Sequence, residues 1–273
     1  MGVPEEGTNA VTATMPPRFS RYIGIDYSGA KSPTESLPGL RVFLACGNDE
    51  PAEVLPPPGP KHYWTRRGVA HWLLERLNEE TPTLAGIDHS FSFPQQYFVK
   101  HRLPHAWDAF LDDFCLHWPT DREHTYVDFL RFGPRTISIR TGNPRWRRIA
   151  EIRCRAKSVF HFDVPGSVAK STHAGLPWLR FIRRTAGNKV HVWPFDGWTI
   201  PGRGSVLAEV YPSICQEHRP RRPMTADQRD AFAAAKWLQA VDRGGSLASF
   251  LTPTLTPEER EIVAYEGWIL GVR

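Results

Sequence analysis

No run of apolar residues in this 273-residue chain is long enough to cross a bilayer, which excludes a helical membrane protein and leaves a soluble one. Cysteine is scarce: Cys46, Cys115, Cys154 and Cys215 stand far apart with no C-x-x-C pair. A disulfide framework and a thiolate zinc site are therefore excluded, and the four read as reduced packing residues of a cytoplasmic protein. Residues 1–20 lack the cationic start and apolar block of a signal peptide and read as a disordered leader. There is no Gly-x-Ser-x-Gly elbow, and Gly24 to Ser32 misses the phosphate-binding loop by one inserted residue. His101 and His105 flank Pro104, which prevents a shared helical face, and no other zinc signature is present. The net charge of +5 is modest, but nine basic residues and a single acid, Glu151, fall between Arg131 and Lys157.

Among what is present, the stretch Ala226 to Leu238 organises the rest. Thr225 is a helix N-cap, and Ala, Gln, Arg, Lys and Leu inside the stretch favour a helix. At 3.6 residues per turn Asp227, Asp230, Ala231, Ala234, Leu238 and Val241 share one face. Two acids at the edge of a small apolar stripe suit either a site or the positive end of the helix dipole.

Earlier in the chain, Arg21 to Tyr27 is a strand broken by Ser28-Gly29, and Leu40 to Gly47 is a second that pairs antiparallel with it. Pro51 to Pro60 reads as a loop and Lys61 to Trp64 as a short third strand. Thr65 caps a helix to about Glu80, with Val69, Trp72, Leu73 and Leu77 inward. Pro82 to Asp88 is a further strand. Asp26 and Asp88 thus each close a Gly-Ile-Asp strand, and on parallel neighbours they would meet at the carboxyl edge. Each alone is also an ordinary turn residue.

From Phe91 to Gly204 the pattern is irregular and rich in Pro, Trp, His and Arg. Helices are expected at His105 to Leu116 and Pro177 to Thr185, and a short strand at Val190 to Trp193. The segment reads as a large insertion (about 91–204) in a single domain (21–273), since no linker bounds it. Ser205 to Tyr211 is the last clear strand and carries Glu209 among apolar residues, which suggests a site or a buried pair. Thr256-Pro257-Glu258-Glu259 is a capping box opening a helix that ends at Gly267.

Carboxylates converging from separate elements cannot all stay ionised without compensation. An oxygen-only set of Asp26, Asp88, Glu209, Asp227 and Asp230 suits Mg²⁺ or Mn²⁺, and a pair of such ions clamps a phosphodiester. His89, beside Asp88, is a candidate to join. The basic Arg131–Lys157 segment, carrying Phe132 and Trp146, has the composition to grip a phosphate backbone with occasional stacking, or to form a solvated charged loop. Arg145, Trp146, Arg147, Arg148 and Lys157, with Lys31, are the nucleic-acid-binding candidates.

The order of elements, with Asp26, Asp88, Glu209 and Asp227-x-x-Asp230-Ala in place, resembles the ribonuclease H-like fold, an α/β mixed sheet flanked by helices. Asp26, Asp88, Asp227 and Asp230 match, in order, the metal-binding acids of RuvC-type junction resolvases. More closely, residues 20 to 245 are similar to domain-of-unknown-function family 429. That resemblance is carried by Ile23-Gly24-Ile25-Asp26, Gly86-Ile87-Asp88, Ala156 to Phe160, Gly175 to Leu179, Val192 to Asp196, Glu209-Val210-Tyr211-Pro212 and Asp230 to Ala234. It implies a metal-dependent nuclease with Asp26, Asp88 and Asp230 catalytic, acting on RNA or DNA. Two alternatives stand beside it: a nucleic-acid-binding or scaffold module with structural acids, and a phosphotransferase or ATPase of the actin and sugar-kinase type.

Overall fold

A computed structural model of the chain describes residues 16–134, 137–218, 220 and 222–273. Residues 1–15 of the expected leader lie outside them. At the leader's end the chain is already tied down: Phe19 is buried, and the Arg18 and Phe19 amides donate to Asp242 at 3.0 and 2.9 Å.

The strands are β1 (Arg21–Asp26), β2 (Arg41–Cys46), β3 (Ala52–Glu53), β4 (Thr83–Asp88), β5 (Val190–Trp193) and β6 (Ser205–Glu209). The helices are α1 (Arg66–Asn78), α2 (Gln95–His101), α3 (Trp107–His117), α4 (Val127–Phe132), α5 (Ile149–Arg153), α6 (Ala169–Ala186), α7 (Ala226–Arg243), α8 (Leu247–Leu251) and α9 (Pro257–Glu266). The protein is α/β. Its mixed sheet of 6 strands, ordered β3-β2-β1-β4-β6-β5, is flanked by helices. β1 pairs antiparallel with β2 and parallel with β4; β4, β6 and β5 continue parallel.

Period-two alternation divides the sheet's faces. Ile23, Ile25, Ala85, Ile87 and Leu207 pack with Val69, Leu73 and Leu77 of α1 and with Leu179 and Ile182 of α6. Tyr22, Leu84, Val206 and Ala208 face the other way, into a second core with Ala234, Leu238 and Val241 of α7. The alanine stripe of α7 has a direct cause. A Cβ at Gly24 would lie 2.3 Å from the Ala231 carbonyl oxygen, and one at Gly86 would lie 3.1 Å from Leu238 Cδ1. Gly24 lets the helix backbone rest against β1, with alanines keeping that approach short, and Gly86 makes room beside β4 for the side chains of Val210 and Leu238.

Several expectations need correction. Lys61 to Trp64 forms no strand; the third strand is Ala52–Glu53, inside the presumed proline loop. Two residues pairing with Phe43 and Leu44 are too few to leave a periodic pattern. Pro177 does not open a helix but sits within α6. Its missing amide would have met the His173 carbonyl; that oxygen instead accepts from Thr120 Oγ1 at 2.7 Å. The stretch between β4 and β6 is more regular than its composition implies, because α6 packs on α1 and β5 extends the sheet. The caps at Thr65, Thr225 and Thr256 are present as read.

Candidate active site

Asp26 and Asp88 are direct Cα partners in the parallel β1–β4 register, at the carboxyl end of both strands. Each follows Gly-Ile, so alternation turns both toward the α7 side. Their carboxyl groups share a hydrogen bond. Burial, then the charges of Asp88, Asp227 and Asp230, holds Asp26 well above the usual carboxylate range. Burial, then the charges of Asp230 and Glu209, pushes Asp88 up to about 8. Two carboxylates in contact cannot both ionise without a counter-charge, so the pair retains a proton at neutral pH. The first turns of α7 bring Asp227 and Asp230 to the same place, where both line the cleft with the pair.

The cleft has a volume of about 970 Å³. Acids form part of its lining, and the cations Lys31, Arg155, Lys157 and Lys170 form another part. Lys170 is held by Asp128 at 2.8 Å and Asp163 at 3.3 Å, and Lys31 lies 4.0 Å from Glu35. Arg155 is exposed and has no acidic partner among the described residues. The loop after β1 is fixed from below by Arg66, a fully buried guanidinium. It donates to the carbonyls of Ala30 at 2.5 Å and Lys31 at 2.7 Å. Arg66 and Lys170 were missed from sequence, where only their basic character was visible, and Arg155 stood out only as one of the nine basic residues between Arg131 and Lys157.

Glu209 departs from the expected ligand set. Its Oε1 and Oε2 take a bidentate contact from Arg148 at 2.5 and 2.8 Å, and Oε2 also accepts from the Phe91 amide at 3.0 Å. The reason is parity: Glu209 is the register partner of Ile87, one residue short of Asp88, and therefore faces the opposite side of the sheet.

Arg148 is likewise withdrawn from nucleic-acid binding. It is fully buried, and besides Glu209 it holds Glu151 at 2.9 Å, Ser90 Oγ at 2.9 Å and the Glu266 carbonyl at 3.2 Å.

Arg145 and Arg147 are exposed but do not line the cleft. Trp146 is half-buried against Phe160, with the Lys100 ammonium 5.7 Å from its ring centre. Lys31 and Lys157 do line the cleft. His89 does not join the acids: it is buried, burial pushes it down to about 4, and its Nδ1 donates to the Ser90 carbonyl.

The acids beside the cleft are hard oxygen donors of one charge, a chemistry that suits Mg²⁺ or Mn²⁺. Among the described residues no group of three or more His, Cys, Asp or Glu side chains closes around a common centre. The set fits a cation in charge and donor type without being pre-closed on one. No helix of the described residues is long and apolar enough to cross a membrane. Comparison with protein-family models, with curated proteins and with solved structures finds no match to this chain.

Proposed function

We propose that the protein is a metal-dependent nuclease whose reacting centre is the Asp26–Asp88 pair, with Asp230 and Asp227 beside it. The observation that carries this reading is the pair itself. Two like-charged groups stand in register at the carboxyl edge of parallel strands, in a cleft that also carries cations. Mutual repulsion of this kind is costly for stability alone and is relieved by a bound cation.

Asp26 and Asp88 would hold Mg²⁺ or Mn²⁺, assisted by Asp230 and Asp227. When bound, the ion supplies Lewis-acid polarisation of a phosphoryl oxygen. Arg155, Lys157 and Lys170 give the cleft the charge to attract and orient a phosphate backbone. Arg66 keeps the loop from Ser28 to Lys31 in place along that path.

The strand order β3-β2-β1-β4-β6, with β2 alone reversed, supports the ribonuclease H-like assignment. In that frame β6 is the fifth core strand and residues 91–204 are an insertion before it. The phosphotransferase alternative would need a second core, whereas the described residues form one sheet.

The test is a cleavage screen over single-stranded, duplex and branched RNA and DNA, with Mg²⁺, with Mn²⁺ and with chelator. Metal-dependent cleavage by the wild type that is lost in Asp88→Asn is the expected result. Cleavage that persists in Asp88→Asn, or that ignores the chelator, would remove the pair from the reaction.

A further inference from the structure

A second concavity lies along the same short helix that borders the acidic cleft. Tyr126 and Asp128 at the start of α4 line the acidic cleft, whereas Arg131 and Phe132 at its end line a groove of about 360 Å³. Phe132 leaves 72% of its surface exposed, the largest exposure among the large hydrophobic side chains of the described residues. The groove is aromatic: Trp118, Phe160 and Phe162 contribute its other rings.

Its polar groups are few and placed. The Arg131 guanidinium lies 4.5 Å from the ring centre of Phe132 and 4.2 Å from that of Phe162. Asp163 holds it bidentately at 2.6 and 3.1 Å, and Asp128 approaches at 3.3 Å. Because Asp128 and Asp163 also hold Lys170, a single ion network forms the wall between groove and cleft. His173, fully buried, also lines the groove. Its Nδ1 donates to the Ala169 carbonyl at 2.8 Å, which leaves Nε2 an acceptor, and no described group donates to it.

An exposed phenylalanine beside a stacked guanidinium is a poor surface for water and a good platform for a flat, weakly hydrated ring. A fully buried acceptor without a donor adds a preference for a ring that carries N–H groups. The network in the dividing wall connects this platform to the cationic side of the cleft. Nucleobases combine a π-face, N–H donors and an attached phosphate backbone, and stacking on aromatic and arginine planes is how single strands are held.

We propose that this groove binds an unpaired nucleobase of a strand whose backbone continues past α4 into the acidic cleft, so that the substrate is single-stranded or locally unpaired nucleic acid. The proposal rests on the nuclease reading for the role of the cleft, but not for the binding itself. A base stacked inside a duplex has no free face to offer the platform until it is flipped out. A fully paired duplex should therefore bind mainly through the cationic rim and lose more of its affinity as salt rises.

The experiment measures fluorescence anisotropy of a labelled single strand and of its duplex in chelator, with wild type and Phe132→Ala. Because Phe132 is largely exposed, the variant should keep its fold, and circular dichroism checks this. The expected result is a loss of single-strand affinity of about 5- to 150-fold, the range for one stacked base, with little change for the duplex. An abasic residue in the strand should lower wild-type affinity by a similar factor and leave that of Phe132→Ala unchanged. Equal single-strand affinity for both proteins, or no binding by the wild type, would overturn the proposal and leave the groove to another occupant, such as an aromatic peptide. Hydrolysis of bis(p-nitrophenyl) phosphate by the wild type with Mn²⁺ is scored separately. It needs no base-binding groove, so its absence counts against the nuclease reading while the anisotropy still decides the groove.

Discussion

Asp88 and Glu209 stand at the ends of adjacent parallel strands, yet they lie in opposite electrostatic settings. Asp88 meets Asp26 and lies near Asp230, and its carboxyl is pushed up to about 8. Glu209 meets Arg148, whose guanidinium also satisfies Glu151 and Ser90. Glu266 closes the second region by accepting from the amides of Gln95 at 2.5 Å and Ile149 at 2.9 Å, which anchors α2 and α5. One residue of strand parity separates an acid aimed at a cleft from an acid spent in the interior. An acid at a strand end is therefore weak evidence for a site; the charge of what it faces decides.

The sharpest way to break this comparison acts on the satisfied region. Arg148→Ala should leave Glu209 and Glu151 buried without a counter-charge and cost about 3–5 kcal/mol in urea unfolding. A loss well under that would mean that the network relaxes and that the contrast between the regions is overstated. Next in size, Gly24→Ala places a methyl 2.3 Å from the Ala231 carbonyl oxygen and should cost about 1–3 kcal/mol. It should also push α7 away from β1 and weaken any response to Mg²⁺. A Gly24→Ala protein with unchanged stability and metal response would show that Asp227 and Asp230 do not depend on that close approach.

The region of the Asp26–Asp88 pair should behave in the opposite sense. Asp88→Asn should keep or raise the melting temperature in chelator, because it removes repulsion. The contribution of Asp88 to wild-type stability in chelator should fall as pH rises from the unfolded carboxyl's 3.8 to about 8. Across that window the folded state holds a proton that the unfolded chain has lost, so the slope is negative. Asp88→Asn removes this contribution while keeping the opposing one of the buried His89 and His173. A stability difference between wild type and Asp88→Asn that rises across the window would reverse the assignment. The smallest effect belongs to the rim: Arg155→Ala and Lys157→Ala should change stability by less than about 0.5 kcal/mol. Each should reduce the salt slope of nucleic-acid binding by up to about one unit.

Much of this contrast was legible from local pattern and part of it was not. The two Gly-Ile-Asp strands, the Thr225 cap and the alanine face of α7 announce themselves within a few residues, so the strand-end places of Asp26 and Asp88 and the helix face of Asp230 were legible, whereas their meeting depended on the parallel β1–β4 pairing. Glu209 was misassigned because its side of the sheet depends on the register between β4 and β6, strands more than 100 residues apart. Arg148 and Arg147 are neighbours of identical chemistry, yet one is interior and the other exposed. What distinguishes them is contact with Glu209 and Glu266, 61 and 118 residues away. The helices α4 and α5, at 6 and 5 residues, are too short to show a face. Of the groove along α4, only Phe132 and Arg131 in the basic run were legible, without the fold that sets them against Phe162 and His173.

Calorimetric titration of Mn²⁺ into the chelator-treated wild type and into the Asp26→Asn/Asp88→Asn double variant tests the central claim most directly. The claim is that the acids of the cleft exist to hold a divalent cation. Saturable Mn²⁺ binding by the wild type, with protons released on binding and no binding by the double variant, is the expected result. Unchanged binding by the double variant, or a wild type that binds no Mn²⁺ while fully folded, would contradict it.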